Sequence, residues 1–538
     1  EAARQLPNEE LSEQGLYEFL LAEIAGQRGH MNLSAEAYTD LARNTRDPRL
    51  AERATESALY ARRLDLALEN ARLWLELEPD SIKAQQTVVA LTLSNGKVED
   101  ALPVLEKLIA GDGENRARGF LQLNELFLRQ TDRKQVLRIV EQLAAPYPDL
   151  AEARLAVAQA AWRAGERDEA LAESRRAMAL KPDWETAALF HGEVLREIRP
   201  KEAVAFYENY LKAHPAARDA RLGYARVLVG EKRYAEARSQ FDKLAEAFPG
   251  SPEIPLAIGL LSLEMKDYGK ADEALQQALK LGYADADSLY LYLGQTAEAA
   301  GKPAEAMDWY GRVAAGDNLF VARVRQANLL ARQGKAEEGA ALIRGVPARN
   351  DEQRAQIALA ESRMWRDIKE NTRAYEVLGR ALAKQPDNVE LLYDHALAAE
   401  RLGRYDVLEK DLRRAIKVKP AFAEAYNALG YTFADRNERL DEAQTLLDKA
   451  LSLDPGSAFI LDSAGWLSYR RHDLAKAEEL LRRALSLRDD PEIAAHLAEV
   501  LWAEGRREEA EALLQKALRD APDNETVHAT IERVHSGQ

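Results

Sequence analysis

Cysteine is absent from the 538 residues, which removes disulfides, thiolate nucleophiles, Cys-ligated zinc and iron–sulfur clusters from consideration. The redox compartment stays open, since a cysteine-free chain suits either side of a membrane. Basic charge is in deficit: 74 Lys and Arg face 90 Asp and Glu, a formal net charge of -16, and such a surface disfavours nucleic acid or anionic lipid as a partner. No run approaches the roughly eighteen apolar residues of a membrane span. The longest uncharged tract in the first hundred residues, 84 to 96, already holds Gln, Thr, Ser and Asn. An initiating Met is also missing, so Glu1 is expected to follow a processed or trimmed segment that carried any targeting signal.

Catalytic constellations are equally scarce. The eight histidines (His30, His191, His214, His395, His472, His496, His528, His535) never form the i, i+4 pair of a zinc-binding helix. There is no Gly-x-Ser-x-Gly nucleophile elbow, and no Gly-rich loop follows a predicted strand. Carboxylates are interleaved with Arg and Lys, as in Arg506-Arg507-Glu508-Glu509, the pattern of a solvated helix face. No catalytic residue, cofactor or metal is expected.

What is present is a repeat. With 46% hydrophobic and 30% charged residues, length alone suggests three or four globular domains, but self-similarity replaces that count. A small or apolar residue recurs at Ala37, Ala67, Ala101, Val136, Ala170, Ala203, Ala237, Ala271, Ala306, Gly339, Ala374, Leu408, Ala443, Ala477 and Ala510, with a mean period of about 34 residues, the tetratricopeptide length. Seven residues later, two helical turns on, comes a second small position, as in Ala177, Ala278, Ala381, Ala415, Ala450, Ala484 and Ala517. Twelve residues after the anchor stands Pro79, Pro148, Pro182, Pro215, Pro249, Pro386, Pro420, Pro455 or Pro522: nine of the 19 prolines share one phase. Five before it stands Gly96, Gly165, Gly301, Gly334, Gly403 or Gly505, where a turn between helices needs positive φ.

One unit shows the physics. Helix A runs through Tyr290 and Gly294 to Ala299 or Ala300, Gly301-Lys302-Pro303 reverses the chain, and helix B starts near Ala304. Gly294 and Ala306 let the helices approach, while Tyr290, Leu293, Tyr310 and Val313 fill the surrounding space. The phased proline ends helix B, and the Ser or Asn two residues on, as at Ser81, Ser251, Asn388, Ser457 and Asn524, can cap the next helix A. A coiled coil would need heptads and would not tolerate proline at this period. The fold expected is all-α: a solenoid of about fifteen helix-turn-helix repeats, coiled as a right-handed superhelix with helix A on the concave wall.

Departures divide the chain. Residues 1–25 carry six acids against Arg4 and suggest an acidic tether with a capping helix, before an N-terminal array over 26–280. Over 281–372 the proline is missing three times, with Tyr283, Asn318 and Asp351 in its place, so altered curvature, a hinge, or plain drift at unchanged geometry are the alternatives. A C-terminal array fills 373–538.

Binding is therefore sought on the concave wall. Positions one and four residues after the small residue of helix A hold Gln159 and Trp162, Asn328, Arg363 and Arg366, Tyr431, Trp466 and Tyr469, then Glu499 and Trp502. The aromatic set Tyr431, Trp466, Tyr469 and Trp502 is a candidate peptide or partner surface, against the alternative that Trp466 or Trp502 packs between repeats. A partner surface predicts that Trp466→Ala with Tyr469→Ala weakens partner capture and leaves thermal unfolding nearly unchanged. Asn427 has the phase of a Lys/Asn carboxylate clamp, but the companion lysines are missing.

The N-terminal segment is more specific than the repeats. Leu11-Ser12-Glu13, then 16–29 with Leu16-Tyr17-Glu18-Phe19-Leu20-Leu21, and Ala35-Glu36-Ala37-Tyr38, together with the long array, resemble a family of tetratricopeptide outer-membrane lipoproteins of Gram-negative bacteria that serve as adaptors for a periplasmic carboxyl-terminal processing protease. The resemblance implies a periplasmic protein held to the outer membrane by an acylated cysteine upstream of Glu1. It also implies binding of the protease and of its protein substrates, such as peptidoglycan cross-link hydrolases. The rival from another class is an assembly scaffold for an exopolysaccharide or outer-membrane export machine.

Overall fold

The computed structural model describes residues 12–94, 99–110, 113–128 and 132–536. The acids Glu1, Glu9 and Glu10 and the turn around Gly96 lie outside the described residues. Among the described residues there are thirty-one α-helices and no strand. They form fifteen helical hairpins, repeats 1 to 15, each a helix A followed by a helix B, and a last single helix Glu525–Ser536. Glu13–Gln27, expected as a cap after the tether, is helix A of repeat 1 and packs on Met31–Thr45.

Every anchor residue lies on helix B or its first turn and is buried. Its partner on helix A is small because a large side chain four residues after the anchor occupies that space. A β-carbon added at Gly259, Gly430 or Gly465 would lie 2.7, 2.8 or 2.7 Å from the side chain of Leu275, Leu447 or Leu481. Tyr207 and Tyr310 fill the same position beneath Gly192 and Gly294.

Turns follow the expected chemistry. Gly165, Gly301, Gly334, Gly403 and Gly505 have φ between 69° and 83°. Repeats without that glycine still need the left-handed residue, and Arg62, Lys232, Lys266, Lys369 and His472 supply it at φ of 58–65°, at a cost of about 1–2 kcal/mol each. Most phased prolines follow a helix B that ends two residues earlier, as at Leu453 before Pro455. Ser81, Asn388, Ser457 and Asn524 accept from the backbone N–H three residues on. Ser251 does not, because Pro252 occupies the cap position of the next helix.

The chain divides into two compact halves, up to Leu281 and from Gly282. In each half, helices A of consecutive repeats touch one another far more than helices B do, which puts the A row on the inner side of the local curve. Repeats 9 to 11, each of which follows a unit without the phased proline, have shifted helix lengths. Their helices A and B are Ala286–Ala299 and Pro303–Arg312, Gly316–Arg332 and Ala336–Arg344, and Asp351–Asp367 and Asn371–Lys384. Helix B of repeats 9 and 10 has 10 and 9 residues, against 14 in repeats 12 to 15. Helix A of repeats 10 and 11 has 17.

Candidate protein-binding surface

The C-terminal inner wall begins with Trp466 on helix A of repeat 14, Ala458–Arg470. Helix A of repeat 13, Ala423–Asp435, ends beneath it, and helix A of repeat 15, Pro491–Ala503, lies on its other side. The indole is only 3% exposed. It stacks on Tyr469 (5.1 Å between centroids) and on His496 (4.5 Å), and its Nε1–H donates to Asp435 at 3.3 Å. His496 Nδ1 is 2.9 Å from the Asp462 carboxylate, on helix A of the preceding repeat. Burial opposes the charged imidazole, yet Asp462, with Glu499 and Glu492 behind it, outweighs burial and raises the His496 pKa.

This geometry corrects the aromatic-wall expectation at its centre. Trp466 is inter-repeat packing, since a side chain covered by its own neighbours has no face left for a partner. Tyr431 is half-buried, with its ring 6.2 Å from His496, and burial pushes its hydroxyl pKa up. Tyr469 is half-buried against Trp466, its pKa raised by burial and then by Glu499. Trp502 is half-buried between His535 of the last helix (5.8 Å) and the Arg507 guanidinium (5.3 Å). Arg533 closes the row by donating to Glu499 at 2.8 Å and Thr530 at 3.0 Å. In the N-terminal half, Trp162 is half-buried with Arg167 over its ring at 6.0 Å, and Gln159 bonds Asn124 of the preceding repeat.

Arg363 and Arg366 stand elsewhere on the inner row, on helix A of repeat 11. Arg363 is exposed and Arg366 half-buried. Burial raises the pKa of Asp394 on the next helix A, with Arg366 and then Arg363 pulling it down. The structure places Arg363 with Asn328 in a cavity of 530 Å³ between helices A of repeats 10 and 11. Phe320, Val324, Leu359 and Met364 give it an apolar floor, and Arg325 and Arg332 flank Arg363. A second cavity of 460 Å³ adjoins it, sharing Phe320, Val321 and Gln356.

Sequence reasoning missed this groove, although a signal was present. Phe320 and Val324 are only half-buried and Val321 is exposed, on a helix whose Ala322, Ala327 and Leu330 are buried. The early start of that helix is held by Asp287 of repeat 9, whose carboxylate accepts from the N–H groups of Ala314 (3.2 Å) and Ala315 (3.1 Å). In the N-terminal half, helix A of repeat 1 leaves Leu16, Tyr17, Leu20 and Ile24 exposed, Tyr17 at 65%. Spacings of three and four put them on one stripe, opposite the buried Ala22 and Ala25.

Among the described residues no group of three His, Asp or Glu side chains is arranged to hold a metal ion, and no helix is long and apolar enough to cross a membrane. Stacked helical hairpins with inward-facing A helices define a repeat scaffold, a class whose surfaces serve protein–protein interaction. Family models for the tetratricopeptide repeat match residues 195–257 and 469–534 in one form, and 256–318 and 393–458 in another. The TPR repeat-containing protein PA4667 of Pseudomonas aeruginosa is 32% identical over 489 residues, covering 91% of this chain and 82% of that protein. The chain belongs to the tetratricopeptide-repeat proteins. Among solved structures it is similar to a thermophilic TPR protein of Thermus thermophilus, at 26% identity and a TM-score of 0.31 over 34% of this chain and 97% of that one. It is also similar to the Cut9–Hcn1 hetero-tetramer of the APC/C, at 14% identity and a TM-score of 0.30, over 91% of this chain and 97% of that one.

Proposed function

We propose that this chain is a non-catalytic adaptor that binds a periplasmic carboxyl-terminal processing serine protease and presents protein substrates to it, peptidoglycan hydrolases among them. In this account the full-length protein is tethered to the outer membrane by a lipid upstream of Glu1. Tetratricopeptide proteins bind protein partners and are typically non-catalytic. The observation that carries the adaptor reading is the presence of two chemically different open surfaces on one repeat scaffold. One is the apolar stripe of Leu16, Tyr17, Leu20 and Ile24, and the other is the arginine-flanked groove of repeats 10 and 11.

Two surfaces of different chemistry hold two partners at once, and that raises their effective concentration without any chemistry by the scaffold. The stripe lies in the N-terminal segment, which resembles the lipoprotein adaptors, and there it is the protease-docking face. The groove is the substrate face. Cross-linking of the native cell envelope followed by mass spectrometry of the captured partners tests this. Recovery of a serine protease together with cell-wall hydrolases supports it, whereas recovery of export components alone overturns it in favour of an assembly scaffold.

A further inference from the structure

The groove of repeats 10 and 11 combines an apolar floor with a surplus of arginine. Its floor is apolar, from Phe320, Val324, Leu359 and Met364, and Val321 is 39% exposed at the junction of the two cavities. Three guanidinium groups line it, Arg325, Arg332 and Arg363, against one carboxylate, Glu298. That carboxylate is already engaged, accepting from the Tyr310 hydroxyl at 2.7 Å and from Arg325 at 3.1 Å. Arg332 and Arg363 are exposed and make no ion pair among the described residues. Asp394 faces Arg366 and Arg363 from repeat 12, where burial has made its charged form costly. A local cationic surplus in a chain of net charge -16 draws a negatively charged ligand, and an apolar floor between arginines asks for apolar side chains beside that charge.

We propose that this groove binds an extended segment of a partner protein in which acidic side chains are flanked by apolar ones, the carboxylates meeting Arg332 and Arg363 and the apolar side chains lying on Phe320, Val324 and Leu359. The inference rests on the adaptor reading only in calling the ligand a substrate segment; the groove chemistry stands without it. The two adjoining cavities continue one another through Phe320, Val321 and Gln356, which suits a chain laid lengthwise. The outer cavity is balanced in charge, with Asp317 and Arg349 both lining it, so the acidic positions belong at the inner end.

The test uses the full chain and a phage library of random short peptides, so that its outcome is independent of any protease. Wild-type protein is expected to enrich peptides pairing Asp or Glu with Leu, Ile, Val or Phe, and a synthetic peptide from that set is expected to bind roughly tenfold more weakly to the R332A/R363A variant. The R332E/R363E variant is expected to enrich Lys and Arg instead. Thermal unfolding of each variant alongside the binding assay shows whether the fold is kept. Enrichment of peptides without acidic residues overturns the proposal, as does identical enrichment by wild type and the R332E/R363E variant, or loss of binding only when Tyr469→Ala or Trp502→Ala is introduced. Failure of envelope cross-linking to recover a protease overturns the adaptor reading and leaves the peptide result standing.

Discussion

Two stretches of one inner wall, both in the C-terminal half, behave in opposite ways. Repeats 13 to 15 carry the large aromatic side chains, and these pack on one another: Trp466 is covered by Tyr469 and His496 and donates its N–H to Asp435, while Tyr431, Tyr469 and Trp502 are half-buried. Repeats 10 and 11 carry fewer rings, yet hold the open groove, with Arg332 and Arg363 turned to solvent. Aromatic content on a concave face measures packing as readily as binding. What distinguishes the two is whether the adjacent repeat supplies a matching surface. Equal helices of 13 and 14 residues bring side chains into register, whereas the shortened helices B of repeats 9 and 10 shift that register and leave space.

The contrast can be broken most sharply at Trp466. Its replacement by Ala is expected to destabilise the C-terminal half by about 3–5 kcal/mol, as for a buried aromatic, measured by urea unfolding. This reverses the outcome that a binding surface would give, and an unchanged unfolding midpoint with lost partner capture would restore the aromatic wall as a site. Next in size is Gly465→Ala, whose new β-carbon would press on Leu481. A loss of about 1–3 kcal/mol is expected from overpacking, and a neutral result would show that the hairpin is looser than described.

Lys266→Gly sharpens the comparison from the other side, since it touches only a turn. Relief of the left-handed strain at φ 59° is expected to raise stability by about 1 kcal/mol, seen as a higher thermal midpoint. The pH dependence separates two of the three histidines buried among the described residues, His191 and His496. His191 beside Ser174 has its pKa lowered to about 4, by burial and then by Arg175. Its stabilising contribution is therefore present above the unfolded value of about 6.5 and is lost as pH falls toward 4. His496 has its pKa raised, so its contribution is complete below the unfolded value and is lost as pH rises through the folded one. Unfolding across pH 4–8 with His191→Gln and His496→Gln is expected to remove slopes of opposite sign. The smallest effect on stability belongs to Arg332→Ala with Arg363→Ala, within about 0.5 kcal/mol, in a variant that nonetheless loses peptide binding.

The repeat was legible in the sequence because each of its marks has a local cause. Proline ends a helix, glycine accepts positive φ, and a small residue permits close approach, so Ala306, Gly301 and Pro455 each declared their places without knowledge of the neighbours. The fate of Trp466 was not legible. Its helical phase pointed inward correctly, but the groups that cover it, Asp435 and His496, come from the two adjacent repeats. The groove was hidden for a related reason. Missing prolines at Tyr283, Asn318 and Asp351 marked irregular repeats, while the consequence, long helices A beside short helices B, depends on where Asp287 holds the next helix start. Arg363 was found from its phase; Phe320, Val324 and Arg332 required the helix lengths.

The central claim is that repeats 10 and 11 are the open part of this wall and repeats 13 to 15 the sealed part. Photo-cross-linking tests it most directly, with a benzophenone side chain placed at Val321 in one protein and at Tyr469 in another, each mixed with a labelled peptide selected on the wild-type chain. The account predicts a covalent adduct from Val321 that is lost with Arg332→Ala and Arg363→Ala, and none from Tyr469. An adduct from Tyr469 with none from Val321 would contradict it.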